Sequence, residues 1–430
     1  NRTYLENLLK HDTMKRLGKK RAVVGINLGA IHLLSLTYGF NYSQTLTRKI
    51  ANALKSHCNN YYQLFNTYEY QFAFYVKSYK DKNELTQFCK AVANTLESIL
   101  FNEMIYGGIG VVEIDESNNT DTDQLLKKLL ITSEKATNIY ETSIGICFFN
   151  EGIESQIIRE ETINRELAQI AANQRIERLF LQYQPILDLQ SNQLCGFEAL
   201  ARLNSDKFGQ LSALEFIPIA EKNKLIVPLG NEIIRQALLF LKTLNENGYP
   251  TISVFINISP IQLIVNGFSK NLVEMINIMK VDPTNIGLEI TESVFASSFQ
   301  EINNILFELK ELGVKIAIDD FGTGYSSLAR ERELNINCLK IDKSFIDNLM
   351  VFEPENTITG DIISMAHKLG HCVIAEGVEH KKQQQYLIDH GCDKIQGYLI
   401  GKPLDKEAAL EILEKQLSAN YDCHSNDSQD

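Results

Sequence analysis

Short apolar runs, each closed by an acidic or amide side chain, recur through the C-terminal half of the chain. They are FEAL with Glu198, VFIN with Asn257, IGLE with Glu289, IAIDD with Asp319 and Asp320, and VIAE with Glu376; CLK closes in the same way on Lys340. An unbroken apolar run of this length reads as a strand buried on both faces, and so as part of a parallel sheet. The runs place strands near 179–186, 196–201, 253–258, 287–290, 315–318, 338–341, 372–375 and 394–399, with helical spacing between them, for example over 213–222, 229–247 and 300–312. Strand and helix alternating eight times predicts a (β/α)8 barrel of TIM type over 179–414. The C-termini of barrel strands share one rim, so the acids are expected to converge on a solvent-facing edge.

The first 153 residues carry a different rhythm. Helical spacing over 4–17, 43–58, 85–100 and 122–140 is interleaved with strand patterns over 22–28, 62–65, 72–76 and 109–114, an α/β domain with a mixed sheet. The run Gly107-Gly108-Ile109-Gly110 opens a strand, not a helix, which makes it a poor phosphate loop. Residues 154–178 are polar with apolar positions at Ile157, Ile158, Leu167, Ile170 and Ala171. That pattern fits a connecting helix that transmits a rotation or pairs with a second subunit, and equally a solvated spacer. The polar segment 415–430 reads as a disordered tail.

Composition narrows the class. A chain of 430 residues with 44% hydrophobic and 22% charged residues is an ordinary globular protein of two or three domains. Its net charge of -12 argues against a nucleic-acid polymer as partner. The eight cysteines form no CxxC pair, which reads as reduced cytosolic thiols, not disulfides. His367 and His371 have metal-ligand spacing on a predicted helix but lack a third ligand, and read as a surface coincidence. The uncharged stretch 22–47 is interrupted by Asn27, His32, Asn41 and three glycines, so it reads as strand, turn and helix, not as a membrane span. The chain is expected to be cytoplasmic. Its abrupt NRTYL start suggests an upstream sensory or membrane segment.

Carboxylates gathered at one rim repel each other unless a cation lies between them, and hard oxygen ligands suit Mg²⁺ or Mn²⁺ better than zinc. Taken singly, each acid also reads as a helix N-cap or solvated loop residue. The order of the motifs decides in favour of a site. Glu198-Ala199-Leu200 with Arg202, Asn257-Ile258-Ser259, Leu288 to Glu292, DDFGTGYSSL from Asp319, Leu339 to Asp342, Glu376 to Glu379 and Gln396-Gly397-Tyr398 together resemble the EAL domain of cyclic di-GMP phosphodiesterases, over about 175–414.

The resemblance implies a barrel whose first strand runs antiparallel, hydrolysis of cyclic di-GMP to linear pGpG, and two divalent cations, Mg²⁺ or Mn²⁺, with Ca²⁺ inhibitory. One cation would be held by Glu198, Asn257, Glu289 and Asp319, and the other by Asp319, Asp320 and Glu376. Lys340 would orient the attacking water, Glu376 and Glu379 would handle protons, and Gln396 would order water or substrate. Arg202, Gln184 and Asp342 would bind substrate, while Glu292, Gly322, Thr323 and Gly324 would set the loop after Asp319. The resemblance further implies a homodimer through this domain. The usual Pro and Asp after the DDFGTGYSSL loop are replaced by Asn335 and Asn337, near the family's dimer contact. Two other readings stay open: a non-catalytic cyclic di-GMP receptor, and a metal hydrolase for a different phosphodiester.

The N-terminal part resembles a GGDEF domain, the diguanylate cyclase fold, in its NRTYLENLL entry helix and its LFNTYEYQFAFYV hairpin. The family's pentapeptide stands as Tyr68-Glu69-Tyr70-Gln71-Phe72, its metal-binding Asp as Asn27, and its guanine-contacting residues as Ser35 and Gln44. Cyclase chemistry needs two metal carboxylates and a narrow glycine hairpin. This domain is therefore expected to make no cyclic di-GMP and to serve a regulatory or structural role.

Overall fold

The computed structural model describes residues 1–14, 19–29, 31, 34, 38–68, 71–103, 105, 107–114, 121–139, 144–292, 299–322, 334–351 and 357–426. The chain divides into two compact units, Asn1–Glu161 and Thr162–Asp430.

In the first unit, β1 (Arg21–Asn27), β2 (Tyr62–Tyr68), β3 (Gln71–Val76), β4 (Gly107–Ile114) and β5 (Ile144–Phe148) form a mixed sheet in the order β2-β3-β1-β4-β5. β4 and β5 are parallel, while β1 is antiparallel to both β3 and β4. Alternation of the buried strand residues supplies two cores. Val24, Ile26 and Phe74 pack with Leu46, Ile50, Leu85 and Leu96 of helices Phe40–Lys55 and Lys82–Leu100. Val23, Ala73 and Tyr75 pack on the opposite face with Leu5, Leu9, Leu125 and Leu129 of helices Arg2–Met14 and Thr122–Ile139. β5 has no counterpart in the sequence reading; five residues of IGICF are too short for a clear period-two signal. The glycine run opens β4, and its purpose is close packing: a Cβ on Gly110 would stand 2.3 Å from the Ser133 backbone nitrogen, and one on Gly108 would stand 2.1 Å from the Ser133 carbonyl oxygen. Among the described residues, no helix is long and apolar enough to cross a membrane.

In the second unit, eight strands close on themselves among the described residues: β6 (Leu179–Asp188), β7 (Gln193–Ser205), β9 (Ser253–Asn257), β10 (Ile286–Thr291), β11 (Lys315–Phe321), β12 (Cys338–Ile341), β13 (Cys372–Ala375) and β14 (Lys394–Gln396). β8 (Gly209–Ser212) adds a hairpin to β7. Strands β7 and β9 to β14 pair in parallel, whereas β6 is antiparallel to both β14 and β7. The barrel with a reversed first strand is therefore present. The last strand stops at Gln396, earlier than the expected 399.

Three other expectations need correction. The helix Glu151–Ala171 ends seven residues before the expected 178, because Asn173 and Arg175 take left-handed backbone angles. Its C-terminal half is no solvated spacer, since Ile163, Leu167 and Ile170 are buried in the second unit's core. At the other end, helix Lys406–Asn426 continues through most of the segment expected to be disordered; it is anchored by buried Ala409 and Leu413 and meets no Gly or Pro on the way. The thiols are not all free either. Cys338 and Cys372, direct partners in the β12–β13 ladder, form a disulfide. The separation of 34 residues hid a register that only the folded barrel creates.

Candidate functional site

The strand-end residues meet around one lysine. Lys340, near the end of β12, has no exposed surface, and its Nζ lies 2.9 Å from Glu289 Oε2, 3.3 Å from Asp319 Oδ1, 3.5 Å from Glu198 Oε2 and 2.5 Å from Glu376 Oε1. Glu198 on β7 accepts hydrogen bonds from Asn257 Nδ2 (2.6 Å) and from Gln396 Nε2 (2.6 Å), which also donates to Gln184 Oε1 (3.1 Å). Those contacts bring together side chains from β6, β7, β9, β10, β11, β12 and β14, with Glu376 just after β13. The rim is less open than its strand-end position implies: Glu198 and Glu289 are buried.

Charge and burial divide the acids. Burial works to raise the Glu198 carboxyl, but Lys340 and the two amides outweigh it and hold it below the usual range. Glu289, equally buried and facing Glu198, is pushed well above the usual range by desolvation first and by that neighbouring charge second. Glu376 is raised by burial to about 8 against the pull of Lys340. Desolvation opposes the charge on Lys340, yet Asp319 and Glu198 foremost, with Glu289 and Glu376, keep its ammonium protonated far above neutrality.

Asp319 and Asp320 are adjacent in sequence and would point to opposite sides of a regular strand. The β11–β12 register shifts between Ile318 and Phe321, and Asp320 takes a left-handed φ of 54°. This irregularity brings both carboxylates to one place, where Asp319, Asp320 and Glu376 each offer an oxygen within 4.8 Å of the others. Burial, then the Asp319 charge, raises the Asp320 carboxyl. Gly322 follows at φ 94°, and its backbone N–H donates to Glu292 Oε2 (3.2 Å). Thr323 and Gly324 lie outside the described residues, as does Ser35 in the first unit.

Of the other expected site residues, Gln184 lies at the edge of this cluster and the rest bond elsewhere. Arg202 donates through Nε to Gln182 Oε1 (2.7 Å), an anchor the sequence reading did not include. Its inward-facing position on the β6–β7 pair was the available signal, since Gln182, Gln184, Glu198 and Arg202 alternate along the two strands. Gln184 also donates to the Gly401 carbonyl (3.3 Å). Asp342 caps helix Lys343–Asn348 through the Ser344 N–H (3.1 Å). Glu379 pairs with Lys343 (2.8 Å), which holds its carboxyl below the usual range, so its bond is to an exposed lysine and not to the buried cluster. Asn337 replaces an acid yet still accepts from the Ile316 N–H (2.9 Å), while Asn335 bonds to Asn303. His371 follows the end of helix Thr359–Lys368, and His367 bonds to Asp393 (2.8 Å), so the two do not form a ligand pair.

The donor set fits a divalent cation. Glu289 Oε1 is buried without a hydrogen-bond partner, three acids are raised by burial and then by neighbouring carboxylate charge, and every ligand is a hard oxygen.

A closed barrel with acids at its strand ends is the architecture of many metal hydrolases. Here the family profile of the EAL domain matches residues 167–403, more than half of the chain, and the chain belongs to that family. The signaling protein YkoW of Bacillus subtilis is 34% identical over 71% of this chain and 38% of its own length. A cyclic di-GMP phosphodiesterase of Pseudomonas aeruginosa is 32% identical over 72% of this chain and 51% of its own. The chain thus spans about half or less of these curated relatives. Among solved structures, the PaMucR phosphodiesterase in its c-di-GMP complex superposes with a TM-score of 0.54 at 32% identity, over 57% of this chain and 99% of that one.

Proposed function

We propose that the barrel hydrolyses cyclic di-GMP to linear pGpG with two divalent cations, Mg²⁺ or Mn²⁺. The observation that carries this reading is the convergence of Glu198, Glu289, Asp319 and Glu376 on buried Lys340, with Asp320 brought alongside by the β11 irregularity. Its support from relatives is the phosphodiesterase name and the bound c-di-GMP of the similar proteins. Glu198, Asn257, Glu289 and Asp319 would hold one cation, with Asp319, Asp320 and Glu376 holding the other. The Asn257 amide, donating through Nδ2, leaves Oδ1 for such a role. When bound, the cations supply Lewis-acid polarisation of the phosphodiester and a lowered pKa for the attacking water.

The chain's own residues do the rest. Arg202, tethered to Gln182, presents its remaining guanidinium N–H groups to a non-bridging phosphate oxygen, a planar match that a lysine lacks. Lys340 fixes the carboxylates in place and offsets their charge, and its buried ammonium acts on the reaction through them. Glu376, raised by burial to about 8 in the cation-free chain, gives up that proton as it takes hold of a cation. Gln396 and Gln184 order the Glu198 side. The first unit we read as a degenerate GGDEF domain with a regulatory or structural role, preceding the EAL domain through the helix Glu151–Ala171.

Chromatography of product after incubation of the purified chain with cyclic di-GMP tests this. Linear pGpG is expected with Mg²⁺ or Mn²⁺. Ca²⁺, which prefers longer bonds and more ligands, is expected to permit binding without cleavage. Binding in every metal with cleavage in none would replace the enzyme with a receptor.

A further inference from the structure

The Cys338–Cys372 disulfide sits inside the barrel, not on its surface. It shares a cluster with Ile186, Phe255, Ala317 and Ile374, against which Cys195 also packs. Cys195 is placed there by a register shift between Ile186 and Leu187 in the β6–β7 ladder, with its Sγ 3.6 Å from the Ile186 carbonyl oxygen. Lys340 follows Cys338 by two residues on β12, so the two side chains share a face, and Glu376 follows Cys372 by four. The bond therefore ties together the two strands that deliver the Lys340–Glu376 contact of 2.5 Å.

We infer that Cys338 and Cys372 form a reversible thiol–disulfide site that couples redox state to the Lys340–Glu376 end of the barrel. Oxidation joins the two sulfurs while a peroxide accepts the two electrons and two protons and leaves as water. Reduction starts at Cys372, whose residue is half-buried where Cys338 is 3% exposed. A dithiol's thiolate attacks Cys372 Sγ, the S–S bond breaks, and Cys338 departs as a thiolate that takes up a proton. The second sulfur of the dithiol then displaces Cys372, closing the reagent's own disulfide. Loss of the bond frees β12 and β13 to adjust separately beneath the charged cluster. The coupling to turnover rests on the phosphodiesterase reading; the bond itself does not.

The test uses the full chain treated with hydrogen peroxide or with dithiothreitol, alkylated under denaturing conditions, digested and analysed by mass spectrometry. A peptide linking Cys338 to Cys372 should appear after peroxide, vanish after dithiothreitol and return on reoxidation. The reduced chain should melt roughly 5–10 °C lower, and its turnover of cyclic di-GMP should change by about threefold or more, because small displacements of catalytic groups cost that much. Cys372→Ser should abolish both the linked peptide and the redox response of the melting temperature. Full alkylation of all eight cysteines after peroxide, or a linkage joining Cys195 instead, would overturn the assignment. Equal melting and equal turnover in the two states would overturn the coupling. A chain that shows the linked peptide and the melting shift but cleaves no cyclic di-GMP would refute the enzyme reading and leave the site standing.

Discussion

In the first unit β1 runs out into Asn27, whose side chain turns back to accept a hydrogen bond from the Gly29 N–H at 3.0 Å, and the adjacent hairpin closes with Tyr68 opposite Gln71. In the second unit β7, β10 and β11 carry Glu198, Glu289 and Asp319 within their length, all within 3.5 Å of one buried ammonium. Both sheets are held by the same device, apolar strand residues packed under helices. They differ in the polar side chains that the strands carry. A fold depends on the apolar strand residues that pack under helices, and chemistry depends on the few polar side chains set beside them, so one can be present without the other. Burying like charges costs several kcal/mol unless a cation offsets them, and a site without function has no reason to sustain that cost.

The largest expected effect is at Glu198. Glu198→Ala should lower turnover of cyclic di-GMP by about a thousandfold, through loss of a metal ligand. It should also cost about 1–3 kcal/mol of stability, since the Asn257 and Gln396 amides lose their acceptor. Glu198→Gln keeps the shape and should lose the activity with a smaller change in melting. Wild-type turnover in either variant removes Glu198 from the site.

Lys340 separates the two units most sharply in stability, because four carboxylates converge on it within the barrel. Lys340→Met should destabilise the cation-free chain by about 3 kcal/mol at pH 8, as four carboxylates lose their shared cation. Burial already raises Glu376, and removing the lysine raises it further. A carboxyl raised on folding contributes stability below its unfolded pKa and loses it as pH rises through the folded value. The deficit should therefore shrink toward pH 5. Denaturant melts of both proteins at the two pH values check this, and a deficit independent of pH would contradict the charge account.

Proton competition gives a milder effect of the same origin. Glu376, at about 8, and Glu289, raised well above the usual range, must release protons before holding a cation. Apparent Mn²⁺ affinity should climb by up to about tenfold per pH unit and proton released, and flatten once both raised carboxyls have titrated. Calorimetric titration across pH 6–9 reads the slope, and a flat profile would show that the raised carboxyls do not bind the ion.

The barrel strands were legible because buried parallel strands write themselves as apolar runs, and their terminal residues because each run stops at a polar side chain. What could not be read was register. The shift that turns Asp319 and Asp320 to one side, the pairing of Cys338 with Cys372, and the bulge that aims Cys195 inward all depend on how separate segments align. Glu379 illustrates the converse. Its motif placed it near Glu376, but Lys343, the first residue of helix Lys343–Asn348, pairs with it. The edge strand β5 and the buried end of helix Glu151–Ala171 escaped for a simpler reason, since their few apolar residues acquire meaning only from the neighbours they pack against.

The smallest expected effect is none, and it lies in the first unit. GTP incubated with the chain should yield no cyclic di-GMP. Nucleotidyl transfer from a triphosphate to a ribose hydroxyl, with pyrophosphate leaving, needs two carboxylates to hold a cation at the phosphates. Asn27 offers an amide already bonded to Gly29, and the first unit's cavity of about 370 Å³, lined in part by Arg2, Gln71 and Lys127, contributes a single acid, Asp123. Asp123 stands in the first turn of helix Thr122–Ile139, where an acid serves the helix end. One exposed carboxylate beside two cations holds no metal at millimolar levels with the geometry that reaction demands. Cyclic di-GMP detected above a blank, in a Glu198→Ala background that cannot degrade it, would show that the first unit kept chemistry its strand ends do not reveal, and the contrast between the units would fail.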